Sequence, residues 1–287
     1  MSSSPEALHI GPVCFRFLQQ EAIVYSAWAY RDFWGPVHSI FRTSVALTVE
    51  LFAGGIDVPD QEPDYSAGKH WWFYKRMDDG LLFVFRPTSF GDRIFCEVDR
   101  NLSVCRLYVE GDLNDAPLRY PLDQILTWGM LGKCGGVILH AAGVERDGVG
   151  YVLAGRSGAG KSTLSGFCAA AGWDILNDDR VIVHPDRKTG QWLMSGTPWH
   201  GTGKYAKNRT VPLGGVYLLQ QDQENVAEEI ALREARYALM DVAGIAWFEE
   251  EWSQRGLDAI ARLTEEVPVQ RLRFTRSADA VEAVGKC

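Results

Sequence analysis

The segment Gly155-Arg156-Ser157-Gly158-Ala159-Gly160-Lys161-Ser162-Thr163 narrows the folds open to this chain more than any other feature. It contains G-x-x-x-x-G-K-[ST] from Gly155 to Ser162, a loop that works only between a strand and a helix. Both neighbours have the right pattern. Tyr151-Val152-Leu153-Ala154 is short and apolar, as a strand entering the loop would be. Leu164, Phe167, Cys168 and Ala171 recur at i, i+3, i+4 and i+7, one face of a helix, and Gly172 supplies its stop. The residue types carry the chemistry. Glycines let the backbone curl with its amides inward, and the helix start adds unpaired N–H groups that attract anions. Lys161 can reach β- and γ-phosphates, and Ser162 can place its hydroxyl on Mg²⁺. Gly155, Ser157, Gly158, Ala159, Gly160, Lys161, Ser162 and Thr163 are therefore the expected nucleotide contacts.

Around this unit the sequence predicts an α/β domain. Strands are expected at Val137–Val144, Val149–Ala154, Val181–His184, Gly215–Leu219 and Val267–Phe274, with helices from Asp123 to about Lys133 and at about 227–243, 247–264 and 278–284. Residues 1–121 read differently. Val45, Leu47, Val49 and Leu51 alternate with Ala46, Thr48 and Glu50. The runs Leu82–Phe85, ended by Pro87, Ile94–Val98 and Val104–Val109 continue the strands, while Gly54–Gly68 reads as a loop. This predicts an antiparallel, β-rich N-terminal domain, with a boundary in the turn formers from Glu110 to Pro121 and a catalytic domain over 122–287.

Size and charge bound the partners. A chain of 287 residues buries a substantial core without staples. Its net charge of −8 argues against general nucleic-acid binding and against an anionic membrane. Residues 1–10 lack the basic and apolar regions of a signal peptide, and no apolar run approaches a membrane span. Cys14, Cys96, Cys105, Cys134, Cys168 and Cys287 form no C-x-x-C pair and read as reduced core thiols of a cytoplasmic protein.

Downstream, Ile175-Leu176-Asn177-Asp178-Asp179-Arg180-Val181 sets two carboxylates among apolar residues. Burying them needs a compensating cation, and magnesium beside phosphates is one. The second carboxylate can accept the proton of an attacking hydroxyl. An exposed turn, or an ion pair with Arg180, is the plainer alternative. His140, within Val137–Val144, reads either as a satisfied core histidine or as a site residue. Trp199 to Arg209 is glycine-rich and locally basic: either a mobile loop closing over phosphates or acceptor, or a solvated surface loop. If it closes, Lys204→Ala and Lys207→Ala weaken ATP use. Glu249-Glu250-Glu251 reads as a solvated helix face, and Trp71-Trp72-Phe73-Tyr74 as sheet packing rather than a ligand cage.

Together, Leu139-His140-Ala141-Ala142-Gly143-Val144, the Gly155–Ser162 loop and Leu176-Asn177-Asp178-Asp179 resemble the catalytic domain of HPr kinase/phosphorylase over roughly residues 122–220. That family carries a histidine strand, G-x-[ST]-G-x-G-K-[ST] and an apolar-x-Asp-Asp segment at similar separations. The resemblance implies a fold like that of phosphoenolpyruvate carboxykinase: a P-loop kinase domain transferring phosphate from ATP to a serine hydroxyl. It implies Asp178 as proton acceptor, Asp179 and Ser162 in the magnesium shell, and His140 beside the γ-phosphate. The bacterial relatives are often hexameric, so a homo-oligomer is compatible with it.

The family's E-[IV]-R-G-type signature is absent, and Gly196–Lys204 stands near its place. HPr is therefore not the expected acceptor. The chain is similar to divergent relatives, including lasso-peptide kinases and kinases of serine or inositol. The expected partner is a hydroxyl acceptor: peptide, protein or small molecule. A nucleotide-binding regulatory module and a plain NTPase are the alternatives from other classes.

Overall fold

The computed structural model of the chain describes residues 6–18, 28–36, 45–77, 79–86, 93–111 and 118–285. Pro87, Cys287, the first five residues and residues 112–117 of the expected domain boundary lie outside them. The protein is mixed α/β, built on two large mixed sheets. Two compact units divide the chain: Met1–His9 with Val13–Met130, and Ile10–Pro12 with Leu131–Cys287.

The first unit holds strands β1 (Glu6–Ile10), β2 (Val13–Phe17), β3 (Trp34–Pro36), β4 (Val45–Ala53), β5 (Tyr65–Ala67), β6 (Trp71–Lys75), β7 (Leu81–Phe85), β8 (Ile94–Val98) and β9 (Val104–Val109). Their order is β3-β1-β2-β4-β9-β8-β7-β6-β5. The period-two reading of Val45–Leu51 is the alternating burial of β4. The sheet is mixed rather than antiparallel, because β4 pairs parallel with both β2 and β9. Local alternation fixes which face of a strand is dry, not which way its neighbour runs. Trp71, Phe73 and Tyr74 are buried packing residues of β6, and Arg86 stacks over Trp72 at 4.3 Å. Helix α1 (Leu122–Gly132) follows at the expected place. Asp123, the expected N-cap, lies inside the first turn: it is buried, Oδ1 accepts the Gln124 N–H at 2.8 Å and Oδ2 accepts the Tyr30 hydroxyl at 2.7 Å.

The second unit holds β10 (Val137–Leu139), β11 (Ala141–Arg146), β12 (Val149–Ala154), α2 (Lys161–Ala170), β13 (Asp174–Asn177), β14 (Val181–Pro185), β15 (Trp192–Ser195), β16 (Thr210–Gln221), β17 (Val226–Glu229), α3 (Leu232–Met240), β18 (Ala243–Gly244), α4 (Glu250–Glu266), β19 (Val269–Phe274) and a 3₁₀ turn at Ala278–Ala283. The strand order is β13-β11-β12-β16-β15-β14-β10-β18, with β19 beside β16 and β17 beside β19. Side chains alternate between two cores. Val152 and Ala154 pack with Ala259, Ile260 and Leu263 of α4; Leu153 packs with Leu164 and Cys168 of α2.

Three expectations change here. The single strand over Val137–Val144 is two strands that break at His140, because β10 pairs with β14 and β18 while β11 pairs with β12 and β13. The helix expected from 227 starts only at Leu232, since Val226–Glu229 instead pairs antiparallel with β19. Glu249 is not a solvated face residue: it is buried and caps α4, accepting the Trp252 N–H at 2.8 Å. The five described cysteines are buried free thiols, and burial pushes the Cys168 thiol up to about 12. Among the described residues no helix is long and apolar enough to cross a membrane.

Candidate functional site

Strand directions bring the site to one edge of the second sheet. β13, β16 and β19 run parallel to β12, either directly or through a shared neighbour. Their C-terminal ends therefore share the edge where the Gly155–Ser162 loop leaves β12. β11 runs the opposite way, with Ala141 opposite Ala154, so His140 at its start reaches the same edge. Ligands of open α/β sheets bind outside such strand ends.

A cleft of about 530 Å³ lies there, lined by His140, Asp178, Asp179 and the loop residues Ser157, Gly158, Gly160, Lys161, Ser162 and Thr163. Gly201, Thr202, Gln221 and Arg276 complete its wall. The structure thus brings every expected site residue to one cleft except Gly155 and Ala159, which shape the loop behind it. A Cβ on Gly155 would stand 2.7 Å from the Ala159 methyl, and the Ala159 N–H closes a turn onto the Arg156 carbonyl at 3.0 Å.

Gly160 is the most constrained of the loop glycines. Its φ is +106°, a value L side chains rarely adopt, and a Cβ there would stand 2.6 Å from Phe274 Cζ. It starts α2 with no side-chain cap. The helix start is therefore not stoppered by the protein's own side chains, and its dipole faces the cleft. Lys161 is buried and folds across its own loop, donating from Nζ to the Gly155 carbonyl at 2.6 Å and more weakly to that of Arg156 at 3.4 Å. Burial lowers its pKa from the ordinary lysine value, and the Asp179 carboxylate partly restores it. Ser162 and Thr163 are exposed to the cleft.

The acidic pair is set by Asn177, to which its residue type and spacing alone assign no role. Its buried Oδ1 accepts the N–H groups of Asp179 and Arg180, each at 2.7 Å, an Asx turn that fixes the backbone of the acidic pair. Its Nδ2 donates to the Thr197 carbonyl at 2.8 Å, and the Thr197 hydroxyl donates to the Arg180 carbonyl at 2.7 Å. The two carboxylates then diverge. Asp178 is buried: Oδ1 accepts the Gly201 N–H at 2.9 Å and, weakly, that of Tyr205 at 3.4 Å, while Oδ2 accepts the Gly203 N–H at 2.5 Å. A Cβ on Gly201 or Gly203 would stand 2.8 Å from Asp178 Oδ2, which is why glycines sit there. A carboxylate has about four acceptor positions, so Oδ2 keeps one for a further donor. Asp179 instead meets His140 Nε2 at 3.0 Å and pairs with Arg180. The His140 hydrogen bond, followed by the Arg180 charge, holds its carboxyl below the ordinary range against the opposing effect of burial.

Lys207 and Arg209 stand elsewhere. Lys207 donates to Asp174 at 2.6 Å, and Arg209 bridges Asp174 and Glu145. Neither lines the cleft, and the part of the Trp199–Arg209 segment that does is Gly201-Thr202. Lys204 holds a left-handed φ of +59° and is likewise absent from the wall. Gln221 and Arg276 are not visible from the sequence, because Gln221 ends β16 and Arg276 follows β19, strands whose place beside β12 only the folded sheet fixes. Among the described residues no three His, Cys, Asp or Glu side chains form a metal-holding group.

A family model described as SynChlorMet cassette protein ScmC matches residues 124–286, more than half of the chain and every residue named in the cleft. No curated protein matches the chain.

Proposed function

We propose, from the premise that this chain belongs to the family of the SynChlorMet cassette protein ScmC, that it is a cytoplasmic ATP- and magnesium-dependent kinase. It transfers the γ-phosphoryl group to a hydroxyl, with serine of a peptide or protein as first acceptor and a small alcohol as second. The family name assigns no reaction. The second unit would accordingly be an HPr-kinase-like domain of the phosphoenolpyruvate-carboxykinase type.

The observation that carries this reading is the single cleft holding an uncapped helix start, Lys161 and two differently held carboxylates. Ser162 and Asp179 offer oxygen donors in one wall, which suits magnesium. Held by Ser162 and Asp179, magnesium would supply neutralisation of the phosphate charge. Lys161 would leave its loop carbonyls for the phosphates. Asp178, through the remaining position on Oδ2, would orient and deprotonate the hydroxyl, and His140 would adjoin the γ-phosphate through its contact with Asp179. Rate would come mainly from positioning and preorganised charge.

Incubation with γ-labelled ATP, magnesium and candidate peptides or alcohols tests this. Label on an acceptor hydroxyl, with a mass gain of about 80 Da, is the expected result. Label released only as inorganic phosphate would make the protein an NTPase. Lys161 engaged by its own loop favours one further reading, a nucleotide-binding regulatory module; stable nucleotide binding without turnover in any mixture would select it.

A further inference from the structure

The phosphate loop has two flanks, and the sheet order separates them. β11 and β13, which carry His140 and the acidic pair, lie on one side of β12. β16 and β19, which carry Gln221 and Arg276, lie on the other. On this second flank Gln221 Nε2 donates to the Gly158 carbonyl at 2.9 Å, tying the loop to the end of β16. The register sets Gln221 opposite Phe274, two residues before Arg276.

Arg276 differs from its neighbours in sequence. Arg271 is paired with Glu234, and Arg273 with Asp222, Glu224 and Glu228. Arg276 is exposed and has no acidic partner among the described residues. In the wall of this cleft, in a chain of net charge −8, that guanidinium is open to an anionic ligand from outside the chain.

We infer that Arg276, with the Gln221-tied edge of the loop, is the subsite for the non-transferred phosphates of a nucleoside di- or triphosphate. The inference rests on the proposed kinase reading. The transferred group must face the carboxylates and the hydroxyl on the β11–β13 flank. The phosphates that stay with the nucleoside therefore extend toward the β16–β19 flank, where a planar guanidinium can take two oxygens at once. Arg276 is thus a donor-binding residue and touches neither the acceptor nor the transferred group.

Titration calorimetry of the full chain with Mg-ATP and Mg-ADP decides it, using Arg276→Ala, Arg276→Lys and, as control, Arg271→Ala. Arg276→Ala should weaken both nucleotides by about tenfold or more. Arg276→Lys should recover part of this, and Arg271→Ala should match the unaltered protein. Unchanged affinity for both nucleotides in Arg276→Ala, with an unaltered melting curve, overturns the inference and leaves the kinase reading standing. Weakened ATP with unchanged ADP also overturns it, because the residue would then hold the γ-phosphate. Failure of the unaltered protein to bind either nucleotide sinks the phosphate-loop reading and this inference together.

Discussion

The two flanks of the phosphate loop solve the problem of charge in opposite ways. On the β11–β13 flank both carboxylates of the acidic pair have partners within the protein. Asp178 holds backbone amides, Asp179 holds His140 and Arg180, and Asn177 fixes the turn between them. On the β16–β19 flank one amide, from Gln221, ties down the loop, and Arg276 beside it has no acidic partner among the described residues. Buried carboxylates without partners would be expensive, so the acidic flank is prebuilt. An exposed guanidinium costs little in water and can wait for its ligand. The rigid flank thus suits the reacting atoms and the adaptable flank suits holding the donor.

The contrast can be broken from either side. The largest effects should come from the reacting flank: Lys161→Ala and Asp178→Asn should each reduce turnover at least roughly tenfold, with Asp178→Asn still binding nucleotide. Steady-state kinetics with calorimetry on the same samples would check this, and near-normal turnover in either variant removes that residue from the mechanism. Asn177→Ala should destabilise the second unit by about 3 kcal/mol, because buried donors and acceptors on Asp179, Arg180 and Thr197 lose their partner. Urea denaturation would measure it, and Asn177→Asp, which keeps the Oδ1 acceptor, should recover part of the loss.

A smaller effect concerns pH. Asp179 titrates below the ordinary carboxylate value in the folded chain, chiefly through His140. Its contribution to stability is therefore complete above that ordinary value and disappears as pH falls through the folded value. In His140→Ala the folded value rises, so the contribution shrinks and is lost at a higher pH. Acid unfolding followed by circular dichroism should begin at higher pH in the variant than in the parent. The smallest effect belongs to Lys207→Ala. With its ammonium on Asp174, nucleotide affinity should stay within about twofold and stability should fall by less than about 1 kcal/mol. A large loss of affinity would return Lys207 to the cleft and undo the separation drawn here.

The legibility of the site followed how local each signal was. The Gly155–Ser162 loop, its entering strand and its helix are contiguous, so motif and periodicity located them together. The acidic pair was visible as a motif, yet its roles were not. Asp178 is distinguished from Asp179 by amides more than twenty residues away in Gly201 and Gly203, and by His140 on another strand. The break at His140 is not legible in the sequence, because Val137–Val144 is apolar on both sides of the histidine and period-two reasoning cannot detect a strand that changes partners. The basic residues near 204–209 are a similar case: composition records charge, and only the fold places Asp174 and Glu145 within reach of Lys207 and Arg209.

By itself the sequence determined the strand–loop–helix unit, because backbone curvature, glycine conformation and helix amphipathicity are set by neighbours along the chain. It also determined the two carboxylates and the histidine as candidates, through residue type alone. Tertiary structure decided which strand ends meet at one edge, which acid is held by amides and which by a histidine, and that Arg276 stands across the loop from both. Those outcomes depend on sheet order and register, which arise from contacts between residues tens of positions apart and leave no trace in any short window of the chain.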